Sequence, residues 1–151
     1  MQVNLSVPLP SKLQAVLDTF DLFSDPADRT SLLLSYAGQF KEVPKTIATR
    51  PFDDKHLVPH CESEAYVWAN KQPDGTLQLH FAVENPSGVS AKALASILER
   101  SLSGLPAADI AQVTPDLVER IFRQNISMGK GMGLMSMVQA VRSLAVAASR
   151  N

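Results

Sequence analysis

The chain has 151 residues, 45% hydrophobic and 19% charged, with 14 basic against 15 acidic side chains and a net charge of −1. That content suits a single compact domain, and the charge balance gives neither the basic surface of a nucleic-acid binder nor a polybasic membrane anchor. No uninterrupted apolar run of about 18 residues suggests a membrane span, the N-terminus lacks a signal-peptide pattern, and the lone Cys61 excludes an internal disulfide and suits a reducing compartment, the cytoplasm or an organelle interior.

Residues 1–10 read as an N-terminal tail, because Pro8 and Pro10 disfavour helix, and residues 11–149 read as one domain. Ser11 with Gln14 three residues on reads as a capping box. Leu13, Val16, Leu17 and Phe20 then form one stripe of a helix ending near Leu22. Asp25 caps the next helix with Pro26 in its first turn, and Leu33, Tyr36, Ala37 and Phe40 give its buried face. Across residues 41–60 the periodicity vanishes, interrupted by Pro44, Pro51 and Pro59. A run of this length is usually functional or mobile, and a short strand could hide in it.

Residues 64–70, with Tyr66, Val67 and Trp68, read as a strand. Pro73-Asp74-Gly75 is a turn signal, and Leu77, Leu79, Phe81 and Val83 alternate with polar neighbours as the antiparallel partner. A helix over about 89–103 buries Leu94, Ile97, Leu98 and Leu102. A helical turn is expected over 106–112. A helix opening at Thr114-Pro115 turns Leu117, Val118, Ile121 and Phe122 inward. Segment 129–133, Gly-Lys-Gly-Met-Gly, reads as a flexible hinge before a last helix over about 132–148. Helices segregated around a hairpin indicate an α+β fold: a small antiparallel sheet, the hairpin plus a possible third strand, packed against several helices.

Cys61 is the leading candidate for chemistry. Free cysteine is often a buried hydrophobe, yet this one closes a long loop just before a strand. A reactive thiol needs cationic or hydrogen-bonding neighbours; His60, His56, Lys55 and Lys130 are candidates, while Glu62 and Glu64 oppose a thiolate. A strand follows Cys61, so no helix N-terminus is expected behind it. His56 and His60 with nearby carboxylates resemble a metal set, but Pro59 breaks any helical histidine pair and the zinc signatures are absent. A Cys–His hydrolase would need His60 or His80 as base and lacks the known local signatures. His80 lies on the polar face of its strand. The glycine-rich segment has neither P-loop nor dinucleotide spacing.

The run Val58-Pro59-His60-Cys61-Glu62-Ser63-Glu64-Ala65-Tyr66-Val67-Trp68 resembles the active motif of the SufE family of sulfur-acceptor proteins. There, a valine lies two residues before a Gly-Cys pair, and glutamine, serine and a Val-Trp strand follow. Val58, Cys61 and Ser63 match in place. His60 replaces the glycine, Glu62 the glutamine, and Ala65 and Tyr66 the strand pair. Gly129 through Met137 resembles the family's final-helix start, with Lys130 in place of arginine. Glycine at the position before the cysteine suggests a positive φ, a conformation in which histidine is enriched. The resemblance covers nearly the whole chain and implies a SufE/IscU-like fold.

That resemblance implies a carrier rather than an enzyme. Cys61 would take a persulfide sulfur from a cysteine desulfurase, stimulate it, and deliver the sulfur for iron–sulfur cluster assembly on scaffold proteins. His60 would tune the thiol, and Glu62, Ser63 and Lys130 would contact the partner. No cofactor or metal is expected, since pyridoxal phosphate belongs to the desulfurase. No nucleic acid or membrane partner is implied, the chain would be a monomer or homodimer, and the compartment would be cytoplasm or, for a processed precursor, plastid stroma. An adaptor that activates a desulfurase by binding alone, and a metal-binding or hydrolase module, stand as alternatives.

Overall fold

In the computed structural model, residues 8–150 are described; the N-terminal tail expected over 1–10 falls mostly outside them. A hairpin forms the centre. Strand β1 (Ala65–Lys71) pairs antiparallel with β2 (Thr76–Val83), from Ala65 opposite Val83 to Lys71 opposite Leu77. A two-residue strand, β3 (Leu105–Pro106), extends the sheet in the order β1-β2-β3. The third strand thus lies beyond the hairpin and not within 41–60. That stretch contributes only single bridges, Glu42 to Phe81 and Leu57 to Tyr66, because its prolines cannot donate to a continuous ladder.

Helices α1 (Ser11–Asp21) and α2 (Pro26–Gly38) precede the hairpin; α3 (Val89–Leu102), α4 (Ala107–Ile110), α5 (Leu117–Phe122) and α6 (Met128–Ser149) follow it. Asp25 caps α2 by accepting the Ala27 N–H at 2.8 Å. Ser11, however, is the first residue of α1 and not its cap: Pro10 takes that place, its carbonyl accepts the Gln14 N–H, and the Gln14 amide turns to Asp18. Nor is segment 129–133 a hinge. Ser127 caps α6 by accepting the Lys130 N–H, and burial of Gly133 and Leu134 offsets the weak helix propensity of the glycines.

The strand period of two sorts side chains onto two buried faces. Ala65, Val67, Leu77, Leu79, Phe81 and Val83 meet Leu94, Ile97 and Leu98 of α3 and Met137, Val138 and Val141 of α6 in the main core. On the opposite face, Tyr66, Trp68 and Ala82 pack with Val43 and Phe52 of the long loop. The Phe52 ring centroid lies 5.1 Å from that of Tyr66 and 5.2 Å from that of Trp68. Arg50 lies over Phe52 at 5.0 Å and pairs with Glu42 and Glu84. The long irregular segment is therefore a second layer on the sheet. At the far end, buried Arg29 donates to the carbonyls of Phe20, Phe23, Arg120 and Ile121, tying the C-terminal ends of α1 and α5 together. By length and composition alone, α6 is the one helix among the described residues that is apolar enough to cross a membrane.

Candidate functional site

Cys61 is held on a short, doubly closed tip. Val58, 1% exposed, anchors the incoming chain in the core, and its N–H donates to the Ala65 carbonyl at 2.8 Å. Glu64 N–H donates to the Cys61 carbonyl at 3.0 Å. Turning this tightly needs left-handed backbone. His60 has φ of 60° and Glu64 of 52°, so His60 adopts the conformation expected where the family pattern has glycine. The outgoing strand is fixed by Asn85 N–H on the Ser63 carbonyl and Glu84 N–H on that of Glu64.

Two glycines let helices close on this tip. A Cβ on Gly133 of α6 would stand 3.1 Å from the His60 oxygen and 3.2 Å from the Cys61 Cα. One on Gly88, which precedes α3, would stand 3.0 Å from Ser63 Oγ and 2.9 Å from Val83. Between these elements lies a cleft of about 160 Å³. Cys61, Glu62 and Ser63 line it from the tip, Asn85, Ser87 and Ser90 from the turn into α3, and Lys130 and Leu134 from α6. Cys61 itself is half-buried.

The first turns of both α3 and α6 line this cleft. The α3 N-terminus has Gly88 at its cap position and no side-chain capping bond. Each helix start carries roughly half a positive charge, and Lys130 adds a full one. The charged side chains lining the cleft are Lys130 and Glu62, one of each sign, and the uncapped start of α3 adds to the positive side. Sequence order alone puts a strand directly after Cys61 and so misses α3, which arrives from beyond the hairpin. The Asn85-Pro86-Ser87-Gly88 turn, running straight into an apolar helical stripe, is the signal that could have found it.

Of the expected site residues, Cys61, Glu62, Ser63 and Lys130 come together at the cleft. His60 is adjacent, but its side chain is exposed outside the cleft lining. His56 stacks on Trp68 at 4.9 Å with Nδ1 3.2 Å from the Val67 carbonyl. His80 is half-buried on β2, and that burial pushes its pKa below the ordinary value. No histidine therefore lines the cleft with Cys61, and among the described residues no three His, Cys, Asp or Glu side chains cluster as metal ligands do.

Residues 14–145 match the SufE family model, described as an Fe-S metabolism associated domain. The chain is 27% identical over 139 residues to SufE-like protein 1, chloroplastic/mitochondrial, of Arabidopsis thaliana; the match covers 91% of this chain but only 36% of that protein. It is 29% identical over 108 residues to an uncharacterized SufE-like protein of Mycobacterium tuberculosis, covering 72% of each. A third relative, an uncharacterized SufE-like protein of Synechocystis, is 24% identical over 149 residues, covering 96% of this chain and 87% of its own. The solution structure of a hypothetical protein from Thermus thermophilus shares the fold, with a TM-score of 0.73 at 22% identity over 95% of this chain and all of that one.

Proposed function

The chain belongs to the SufE family of Fe-S metabolism associated domains, and from that premise we propose that it is a sulfur carrier loaded on Cys61 by a cysteine desulfurase. The observation that carries this reading is the cleft: the chain's one cysteine lies where two helix N-termini and Lys130 converge. Thiol exchange needs an accessible path to the sulfur, and the half-buried Cys61, lining the cleft, leaves one open.

The step is an exchange of disulfide-type bonds. The Cys61 thiol gives up its proton and attacks the terminal sulfur of the donor's persulfide. A new S–S bond forms on Cys61 as the donor's S–S bond breaks. The donor leaves as a thiolate and takes the proton, so one sulfur atom moves with no net oxidation. Lys130 and the uncapped start of α3, which line the cleft with Cys61, are the groups placed to accompany an anionic sulfur through the exchange. Half-burial slows its further oxidation. The same exchange, run onto an acceptor thiol of a scaffold, delivers the sulfur for cluster assembly. The carrier needs no cofactor of its own, the pyridoxal phosphate chemistry belonging to the donor, and it works in a reducing compartment. Phe52 and His56 are held on the outer aromatic layer and Val58 in the main core, so any extension of the sulfur toward a partner would involve residues 59–64.

Intact-mass measurement after incubation with a cysteine desulfurase and free cysteine tests the reading. Gain of one sulfur atom that dithiothreitol reverses and Cys61→Ser abolishes is the expected result. Stimulated desulfurase turnover with no sulfur gained would replace the carrier with a binding-only activator.

A further inference from the structure

A second cavity, of about 480 Å³, opens between α1, α2 and α3. Helical spacing builds it. Residues three or four apart share a helix face, and the lining comes in such sets: Lys12 with Val16 on α1, Leu32 with Tyr36 and the capping Gln39 on α2, Ile97 with Arg100 on α3. Val16, Leu32 and Ile97 make its apolar wall. Lys12, Ser35, Tyr36, Gln39 and Arg100 also line it, and all five can donate hydrogen bonds. None of these five side chains has a hydrogen-bond or ion-pair partner among the described residues. The two cations come from different helices, and no carboxylate lines the cavity. Burial pushes the Tyr36 hydroxyl above its ordinary pKa while Arg100 pulls it back, so guanidinium and phenol are close neighbours. Arg100 also acts on the half-buried Glu99, whose carboxyl lies outside this lining. Along α3, Arg100 stands about 15 Å beyond Ser90 of the Cys61 cleft, and no residue lines both.

We propose that this cavity binds a small amphipathic anion, a carboxylate or phosphate head carried on an apolar body. Ligand pockets run from about 300 to 1,000 Å³ and combine apolar walls with a few convergent polar groups, which is the composition found here. The charge of the head follows from Lys12 and Arg100 with no acid in the lining. Its oxygens follow from Arg100, whose planar fork meets a carboxylate or phosphate through two parallel hydrogen bonds, with the Tyr36 hydroxyl beside it as a further donor. The apolar body follows from Val16, Leu32 and Ile97. Water can satisfy the cations and hydroxyls, but only an alkyl chain or ring gains by covering that wall. The site is separate from the sulfur chemistry, and the inference stands whether or not Cys61 carries sulfur.

Calorimetric titration of the full chain with octanoate, octyl phosphate and octan-1-ol, which share one alkyl body, tests it. At least one anion should bind, and the alcohol should bind at least about tenfold more weakly, the effect of losing a charge-assisted contact. Arg100→Gln should weaken the anion by about tenfold and Lys12→Gln by less. Both side chains are exposed, so neither change should move the melting curve. Val16→Glu, at a half-buried position, puts a carboxylate into the lining and should abolish binding, while Val16→Gln, of the same shape, should weaken it less. A preference between the two anions identifies the head group. The inference is overturned by failure of both anions to bind at millimolar concentration, by an alcohol that binds as well as they do, or by wild-type affinity in both Arg100→Gln and Lys12→Gln. Loss of anion binding in Lys130→Gln with Arg100→Gln unaffected also overturns it and moves the ligand to the Cys61 cleft.

Discussion

The contact between α6 and the Cys61 tip can be isolated with two chemically identical substitutions in one helix. Gly129→Ala adds a methyl where nothing lies within 4 Å, while Gly133→Ala adds one 3.1 Å from the His60 oxygen and 3.2 Å from the Cys61 Cα. Both replace a poor helix former with the best one, a gain of up to about 1 kcal/mol. Only the second must also displace backbone, because the opposing atoms belong to a tip closed by the Glu64-to-Cys61 hydrogen bond. Overpacking of this kind costs about 1–3 kcal/mol, so Gly133→Ala should be the less stable of the two by about that amount. For a domain of this size that is several degrees in Tm, at about 2–4 °C per kcal/mol. Melting curves read the separation, and iodoacetamide alkylation reads the sulfur, which should react faster when the added methyl pushes the tip outward. Equal melting gains in both variants together with an unchanged alkylation rate would refute the reasoning, since α6 then does not press on the tip.

Arg29→Met removes four hydrogen bonds to backbone carbonyls and should cost about 3 kcal/mol or more in urea unfolding; Arg29→Lys should recover less than half of it, since an ammonium cannot span both helix ends. Burial pushes the Glu99 carboxyl above its ordinary value, against the opposing pull of Lys41 and Arg100. Its ionisation therefore weakens the fold as pH rises through that range. Glu99→Gln should be more stable than wild type at pH 7, with the difference vanishing at pH 3, as paired melts would show. The hydrogen bond from Arg50 holds the Glu42 carboxyl below its ordinary 4.5, so this pair adds stability above that pH and loses it as pH falls. Arg50→Met should flatten that acid limb by no more than about 1 kcal/mol, because both side chains are over two-fifths exposed and solvent screens them.

Periodicity made much of this fold legible. The alternation through Leu77, Leu79, Phe81 and Val83 placed a core-facing strand, and the Asp25-Pro26 pair marked the start of α2 with its cap. Two kinds of information were not in the local pattern. The outer layer is built from Phe52, Tyr66 and Trp68; the loop member is a single aromatic among prolines, so no period announces that it covers a sheet face. The glycines of 129–133 read as a hinge because propensity is a local quantity. What fixes them in a helix is the Ser127 cap and, at Gly133, the approach of a tip some seventy residues earlier in the chain. The candidate site divides the same way. Cys61 and its motif were readable, whereas Asn85, Ser87, Ser90 and the α3 N-terminus reach the cleft only through the tertiary fold.

That division explains how the chain keeps the tip's geometry while departing from the SufE motif at several side chains. The requirements at the cleft are met largely by backbone: left-handed φ at His60, helix starts at α3 and α6, and the close approaches at Gly88 and Gly133. Histidine is among the side chains enriched in the first, as His60 shows, and lysine keeps the charge of arginine while losing its planar fork. The side chain at 62 then decides how much of the positive potential the sulfur feels, since Glu62 is the one acid lining the cleft. Replacing it with glutamine removes that charge without changing the shape. If that carboxylate faces the sulfur, Glu62→Gln should speed alkylation of Cys61 by iodoacetamide at a fixed pH. An unchanged alkylation rate would mean that the carboxylate points to solvent.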